Sequence, residues 1–300
     1  MAFKWKKGKN KEGEMSFLEH LEELRWHIIR SIAATFIMMI VAFLLKNFIF
    51  DKIILAPKNS QFFTNRILCS LGEVIRENTP LMENKNWLCI NTQPFNLINI
   101  KMSGQLTTHI IVALVSGIIL AFPVIIYEFW RFFKPALHSN EAQHARGAVL
   151  SSTFLFFTGV LFGYFILAPL SIHFLSRYEI SPDVVNQINI RSYIGTISSI
   201  CLATGVIFEL PIIAYFLTKI GIITPSFMRR YRKHSIVVIF VLAAIITPPD
   251  VFSQALVCIP LLLLYEVSIG ISGRVMKKKE KAHASFMQEG VSDKEENPVT

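Results

Sequence analysis

Residues 198–217 read Ser198-Ser-Ile-Cys-Leu-Ala-Thr-Gly-Val-Ile-Phe-Glu-Leu-Pro-Ile-Ile-Ala-Tyr-Phe-Leu217, an apolar run interrupted by one acid, Glu209, with Pro211 two residues behind it. A helix needs about 20 mostly apolar residues to cross a hydrocarbon core of about 30 Å, and this run has that length. An acid at the centre of such a helix costs about 2.5–3.5 kcal/mol on insertion, so Glu209 is expected to face protein or water and not lipid. Helical steps back from it meet Gly205, Cys201 and Ser198, a small and weakly polar stripe. Pro211 has no N–H for the carbonyl of Ile207, which leaves a further acceptor close by. The run reads as a membrane span with a polar patch, either a working surface or a tie between helices.

The same pattern recurs along the chain. Hydrophobic residues make up 52% of its 300 residues, above the usual share for a soluble domain. They are gathered into blocks: Ile28–Leu45, Thr108–Phe129, Ala148–Leu167 and Ile194–Leu217. Two more, Ser235–Thr247 and Val251–Ile271, are separated only by Pro248-Pro249-Asp250. The expectation is an all-α membrane protein of six transmembrane helices. The fifth block would reach only about 20 Å at about 1.5 Å per residue, so it is expected to be short. The first block begins too late and is too long for a cleaved signal peptide, and no small-residue cleavage site follows it.

Charge orients the spans. Lys4, Lys6, Lys7, Lys9 and Lys11 precede the first block, and Arg25 and Arg30 open it. Arg131, Lys134 and Arg146 lie in the second connection, and Lys219, Arg229, Arg230, Arg232 and Lys233 in the fourth. The tail carries Arg274, Lys277, Lys278, Lys279 and Lys281, whereas the third connection holds only Arg177 and Arg191 and the fifth no base. The rich segments fall on one side, which the positive-inside rule makes cytoplasmic, with both termini there. A basic leader (1–15) then precedes a membrane domain (16–271) that contains a long outer loop over about 51–102. Residues 272–300 read as a charged tail without fixed structure. The net charge of +9 forms no stripe interleaved with exposed aromatics, so nucleic acid is not an expected partner, and the lipid bilayer is.

Two polar regions flank the spans. In Ser16-Phe-Leu-Glu-His-Leu-Glu-Glu-Leu-Arg-Trp-His-Ile-Ile-Arg30, Ser16 and Glu19 have capping-box spacing. Phe17, Leu21, Leu24 and Ile28 give one apolar face, with Glu19, Glu22 and Glu23 on the other side. Acids at a surface where lipid charge favours bases suit a cationic partner. In Ala121-Phe-Pro-Val-Ile-Ile-Tyr-Glu-Phe-Trp-Arg-Phe-Phe-Lys-Pro-Ala-Leu-His-Ser-Asn-Glu141, Pro123 interrupts a helix ladder, and Tyr127, Trp130, Arg131 and Lys134 form an interfacial anchor. No nucleophile elbow, zinc-protease, Walker or dinucleotide motif is present, which argues against an enzyme. Four cysteines show no metal spacing, and no metal or cofactor is expected. Cys201 and Cys258 read as packing residues. Cys69 and Cys89 share the outer loop, where a disulfide or two reduced thiols are equally open.

In order, "FLEHLEELR", "AFPVIIYEFWRFFKPAL", "GVIFELPI" and "ITPPDVFSQALVCIPLLLLYE" closely resemble the TatC family, the multispanning component of the twin-arginine (Sec-independent) translocase, from about Ser16 to Ile271. The resemblance implies a curved, glove-like six-helix bundle with short final spans in the bacterial cytoplasmic membrane. It implies a receptor for twin-arginine signal peptides of folded precursors, driven by the proton-motive force, working with single-span TatA/TatB-type proteins and further copies of itself. Signal-peptide contacts would fall on Glu23, Arg25 and Glu141, and the intramembrane acid of the concave face on Glu209. Asp250 matches the acid of the outer turn, and Thr247 and Gln254 match contacts to a single-span partner. Pro57, Pro123 and Tyr164 match shaping residues. Trp26-His27 after the first motif, Ser139-Asn140 before Glu141 and the longer outer loop depart from the family pattern. A proton-coupled transporter of a small solute, with Glu209 as relay, is the competing reading, though no internal repeat supports it.

Overall fold

The computed structural model describes residues 17–78, 89–90, 95–133, 145–179, 181, 183–184, 186–246 and 251–296. Two long helices, α1 (Phe17–Leu44) and α3 (Gly104–Phe133), form an antiparallel pair. His27 meets Glu128 near one end of the pair, and Phe43 stacks on His109 near the other. The backbones come close because Gly117 has no side chain: a Cβ there would lie 2.8 Å from the Met39 backbone. Small residues of this kind let helices pack by van der Waals contact where lipid removes the hydrophobic drive. Much of the outer face of α1 is apolar and open, with Ile32 63% and Phe36 60% exposed, as a lipid-facing helix requires.

Between these helices, the chain turns through a π-helical segment (Phe48–Ile54) and a short 3-10 turn (Ala56–Lys58), then forms α2 (Phe63–Asn78). The long loop over about 51–102 is thus partly helical, and Cys69 of α2 is disulfide-bonded to Cys89. Pro57 is buried in the 3-10 turn. The wide π turn leaves carbonyls to satisfy. Two tyrosines from other spans do so: Tyr164 donates its hydroxyl to Ile53 (2.7 Å) and Tyr193 to Ile54 (2.9 Å). The Thr64 hydroxyl donates in turn to the Phe165 carbonyl. Tyr164 therefore acts as a bolt between the third span and the turn that follows α1.

The third span is α4 (Ala145–Phe162), a π segment (Gly163–Leu167) and α5 (Ala168–Arg177) in series. A two-residue parallel ladder, β1 (Leu97–Ile98) with β2 (Ile188–Asn189), clasps the starts of α3 and α6 (Ile190–Ile207). The Asn189 side chain caps α6 by accepting the Arg191 N–H at 2.9 Å. After a break at Phe208-Glu209, α7 (Leu210–Ile220) completes the span and ends on Gly221 in the left-handed region (φ 89°). A short α8 (Pro225–Arg230) leads to α9 (Arg232–Ile246) and α10 (Val251–Glu296). One buried cluster joins Ala42, Ile54, Val112, Ile172 and Ile194; another joins Ile200, Ile239, Ala243, Val257 and Leu261.

Among the described residues, five helical stretches are long and apolar enough to cross a membrane: Leu21–Leu44, Gly104–Phe132, Gly147–Arg177, Ile190–Ile220 and Val257–Lys281. With 15 residues, α9 spans about 22 Å, which agrees with the short fifth block. The last helix is not short. It runs for 46 residues, so the tail expected to lack structure continues as helix to Glu296. Its Lys, Glu, Ala and Met content after Arg274 favours helix, and no proline follows until Pro298.

Candidate functional site

The first turns of α1 carry the acidic motif to one end of the α1–α3 pair. Glu23 keeps 38% of its side chain exposed, and Arg25 is exposed. One turn further, His27 is buried at 5%, and Glu128 of α3 is buried at 6%. The His27 ring N–H at Nδ1 donates to Glu128 Oε2 across 2.5 Å. The other ring nitrogen, Nε2, faces a different neighbour. That neighbour is Glu23, whose Oε1 is 4.0 Å from Nε2. On the other side, Arg30 Nη1 lies 3.7 Å from the same Glu128 oxygen. The Phe132 ring stands edge-on to the imidazole at 6.1 Å. Half-exposed Glu23, buried His27, buried Glu128 and half-exposed Arg30 thus form one continuous line of polar contacts.

Sequence reasoning missed Glu128 and His27. The available signal was an acid between Tyr127 and Trp130 at the end of a span, where a carboxylate needs a partner. Its partner comes from 101 residues earlier, a separation that periodicity cannot bridge.

Glu209 occupies the break between α6 and α7 and is 7% exposed. The Ser152 hydroxyl of α4 donates to its Oε2 at 2.5 Å, while Oε1 has no hydrogen-bond partner among the described residues. Gly205 on the same stripe packs against Phe156 and Val160 of α4. The stripe faces a neighbouring helix, and the carboxylate is enclosed rather than lining an open cavity. A buried acceptor is costly when its donor goes but nearly neutral when both partners go. Ser152→Ala should therefore cost about 1–3 kcal/mol of stability, the penalty for a buried acceptor left unsatisfied. Adding Glu209→Leu should recover most of that loss. Thermal unfolding in detergent checks the pair; a Ser152→Ala variant as stable as the parent would show that another group satisfies Glu209.

The other expected residues are spread through the fold. Gln254 of α10 is half-buried and donates to the Phe240 carbonyl of α9 at 3.2 Å. Pro123 lies inside α3, next to Phe122, which stacks on Phe156 at 3.6 Å. Cys201 and Cys258 are buried and unbonded. Glu141, Thr247 and Asp250 lie outside the described residues.

A family model described as Sec-independent protein translocase protein (TatC) matches residues 19–260. The chain belongs to the TatC family. The Sec-independent protein translocase protein TatC of Blattabacterium sp. subsp. Periplaneta americana is 41% identical over 271 residues, covering 90% of this chain and 100% of that one. Its counterpart from Aquifex aeolicus is 36% identical, covering 89% and 98%. A crystal structure of the twin arginine translocase receptor TatC in DDM shares 35% identity at a TM-score of 0.65, covering 84% of this chain and 99% of that one. A second crystal structure of that receptor matches with a TM-score of 0.60 at the same identity, covering 86% and 99%. Membership makes this chain a multi-pass membrane component of the twin-arginine translocase, and the apolar helices are those of an all-α TatC bundle.

Proposed function

We propose that the chain is the receptor of the translocase, binding the twin-arginine signal peptides of folded precursors at the end of the bundle that carries Glu23. The observation that carries this reading is the half-exposed Glu23 carboxylate, set on a helix end beside buried charge. Glu141 follows Phe133 by eight residues, so its segment continues from the same end of α3. Two separate acids suit two guanidinium forks, each able to bind a carboxylate bidentately, which an ammonium cannot do. Arg25 borders the same surface.

In this reading α9 is the fifth of six spans, both termini are cytoplasmic, and the membrane is the bacterial cytoplasmic membrane. The Cys69–Cys89 bond supports the outer placement of the first loop, because disulfides persist in oxidising compartments. The signal's apolar segment inserts along the bundle towards Glu209, and the proton-motive force supplies the energy. Single-span TatA/TatB-type proteins pack near Thr247, Asp250 and Gln254, and further copies of the chain complete the complex. A photo-crosslinker placed beside the arginine pair of an exported precursor, in membranes holding the whole chain, is expected to capture the segments around Glu23 and Glu141. Capture only at the opposite end of the bundle would overturn the reading.

A further inference from the structure

The buried pair behind Glu23 has no role in the receptor reading above. Its geometry supplies one. Glu128 is nearly free of solvent and would be expensive to bury unpaired, yet both of its close partners, His27 and Arg30, come from the helix that carries Glu23. The carboxylate of α3 grips α1 at His27 and fixes the imidazole through Nδ1. The fixed ring then stands one helical turn below Glu23, with Nε2 4.0 Å from its carboxylate. A wall at that distance limits the side-chain rotamers open to Glu23.

We propose that Glu128 and His27 are positioning residues that orient the Glu23 carboxylate and so set the discrimination between a twin-arginine and a twin-lysine signal. The proposal rests on the receptor reading of Glu23. A planar guanidinium fork needs the carboxylate in one plane to make both bonds, whereas a rotating ammonium accepts many orientations. Each sp3 torsion of a free glutamate has three staggered wells. If one or two torsions lose their restraint, the competent fraction falls roughly three- to ninefold, and apparent affinity for the fork falls with it. Affinity for the ammonium changes little.

The test measures binding of two synthetic signal peptides, twin-arginine and twin-lysine, to the purified full chain in detergent. His27→Leu and Glu128→Leu are each expected to weaken the twin-arginine peptide roughly three- to ninefold and to change the twin-lysine peptide less than twofold. Glu128→Gln keeps an acceptor for the Nδ1 proton and is expected to restore the parent's ratio. If Glu128→Leu fails to accumulate, His27→Leu/Glu128→Leu carries the same comparison and leaves neither member of the pair unpartnered. An unchanged ratio, or a parallel loss for both peptides, would reduce the pair to a structural prop and overturn the proposal. Glu23→Gln separates the two ideas: equal binding of both peptides to that variant and the parent removes the receptor reading and the positioning role with it.

Discussion

The double variant Glu23→Gln/Glu141→Gln is expected to lose at least about a hundredfold in affinity for a twin-arginine signal peptide while inserting and accumulating normally. An exposed ion pair contributes under about 1 kcal/mol in water. A hydrogen bond to a charged group contributes about 1.5–3 kcal/mol when water is partly excluded. With 38% of its side chain exposed and buried charge behind it, Glu23 belongs near the lower end of that second range. Two such acids losing about 1.5 kcal/mol each give about 3 kcal/mol, or roughly a hundredfold. Each single variant should lose roughly tenfold if the two guanidinium groups bind independently. Fluorescence titration of a labelled signal peptide against detergent-purified protein measures this. Parent-like affinity in the double variant, at normal abundance, would remove the acids from the recognition surface.

The spans were legible because lipid leaves a helix no alternative: every backbone polar group must bond within the segment, so long apolar runs become helices. The block Ile194–Leu217 falls within Ile190–Ile220, and Thr108–Phe129 within Gly104–Phe132. Glu209 stood out as an acid where apolar residues were expected, and Glu23 as one of three acids at a surface where lipid charge favours bases, singled out by the family resemblance. What escaped was whatever depends on a second element. Tyr193 carries no mark in the sequence, yet its hydroxyl meets the Ile54 carbonyl at the end of a π turn. Glu128 went unremarked among the anchor residues Tyr127 and Trp130 until α1 brought His27 to it. Helix α2 was hidden in a polar loop because its apolar positions, Phe63, Ile67, Leu71 and Val74, remain exposed and form no span-length run. The tail was misjudged for the opposite reason: its charge suggested a solvated chain, but Lys, Glu and Ala are also strong helix formers.

The second large effect is expected at the outer loop. Cys69→Ser/Cys89→Ser should lower the protein's stability by about 3 kcal/mol, the chain-entropy value for a loop of about this length. The bond closes a separation of 20 residues between α2 and the segment at Cys89-Ile90, both of whose side chains are buried. Among the described residues, α2 also has anchors near its start. These are Thr64 to the Phe165 carbonyl and Asn65 to the Asn59 carbonyl at 2.7 Å. In a thermal scan the midpoint should fall by roughly 5–10 °C, scaled from domains somewhat smaller than this chain. Alkylation under denaturing conditions gives an independent count. Cys201 and Cys258, which are unbonded, should label without reductant, and all four cysteines should label after reduction. Four labelled thiols before reduction would remove the bond. The same chemistry reads the side of the membrane. A reductant that cannot cross the bilayer should open the disulfide in whole spheroplasts if the loop lies outside, because thiol exchange needs direct attack on a sulfur. In inverted vesicles it should leave the bond intact. The reverse pattern would put the loop inside, and with it would fall the cytoplasmic placement of Glu23, since α1 joins the two.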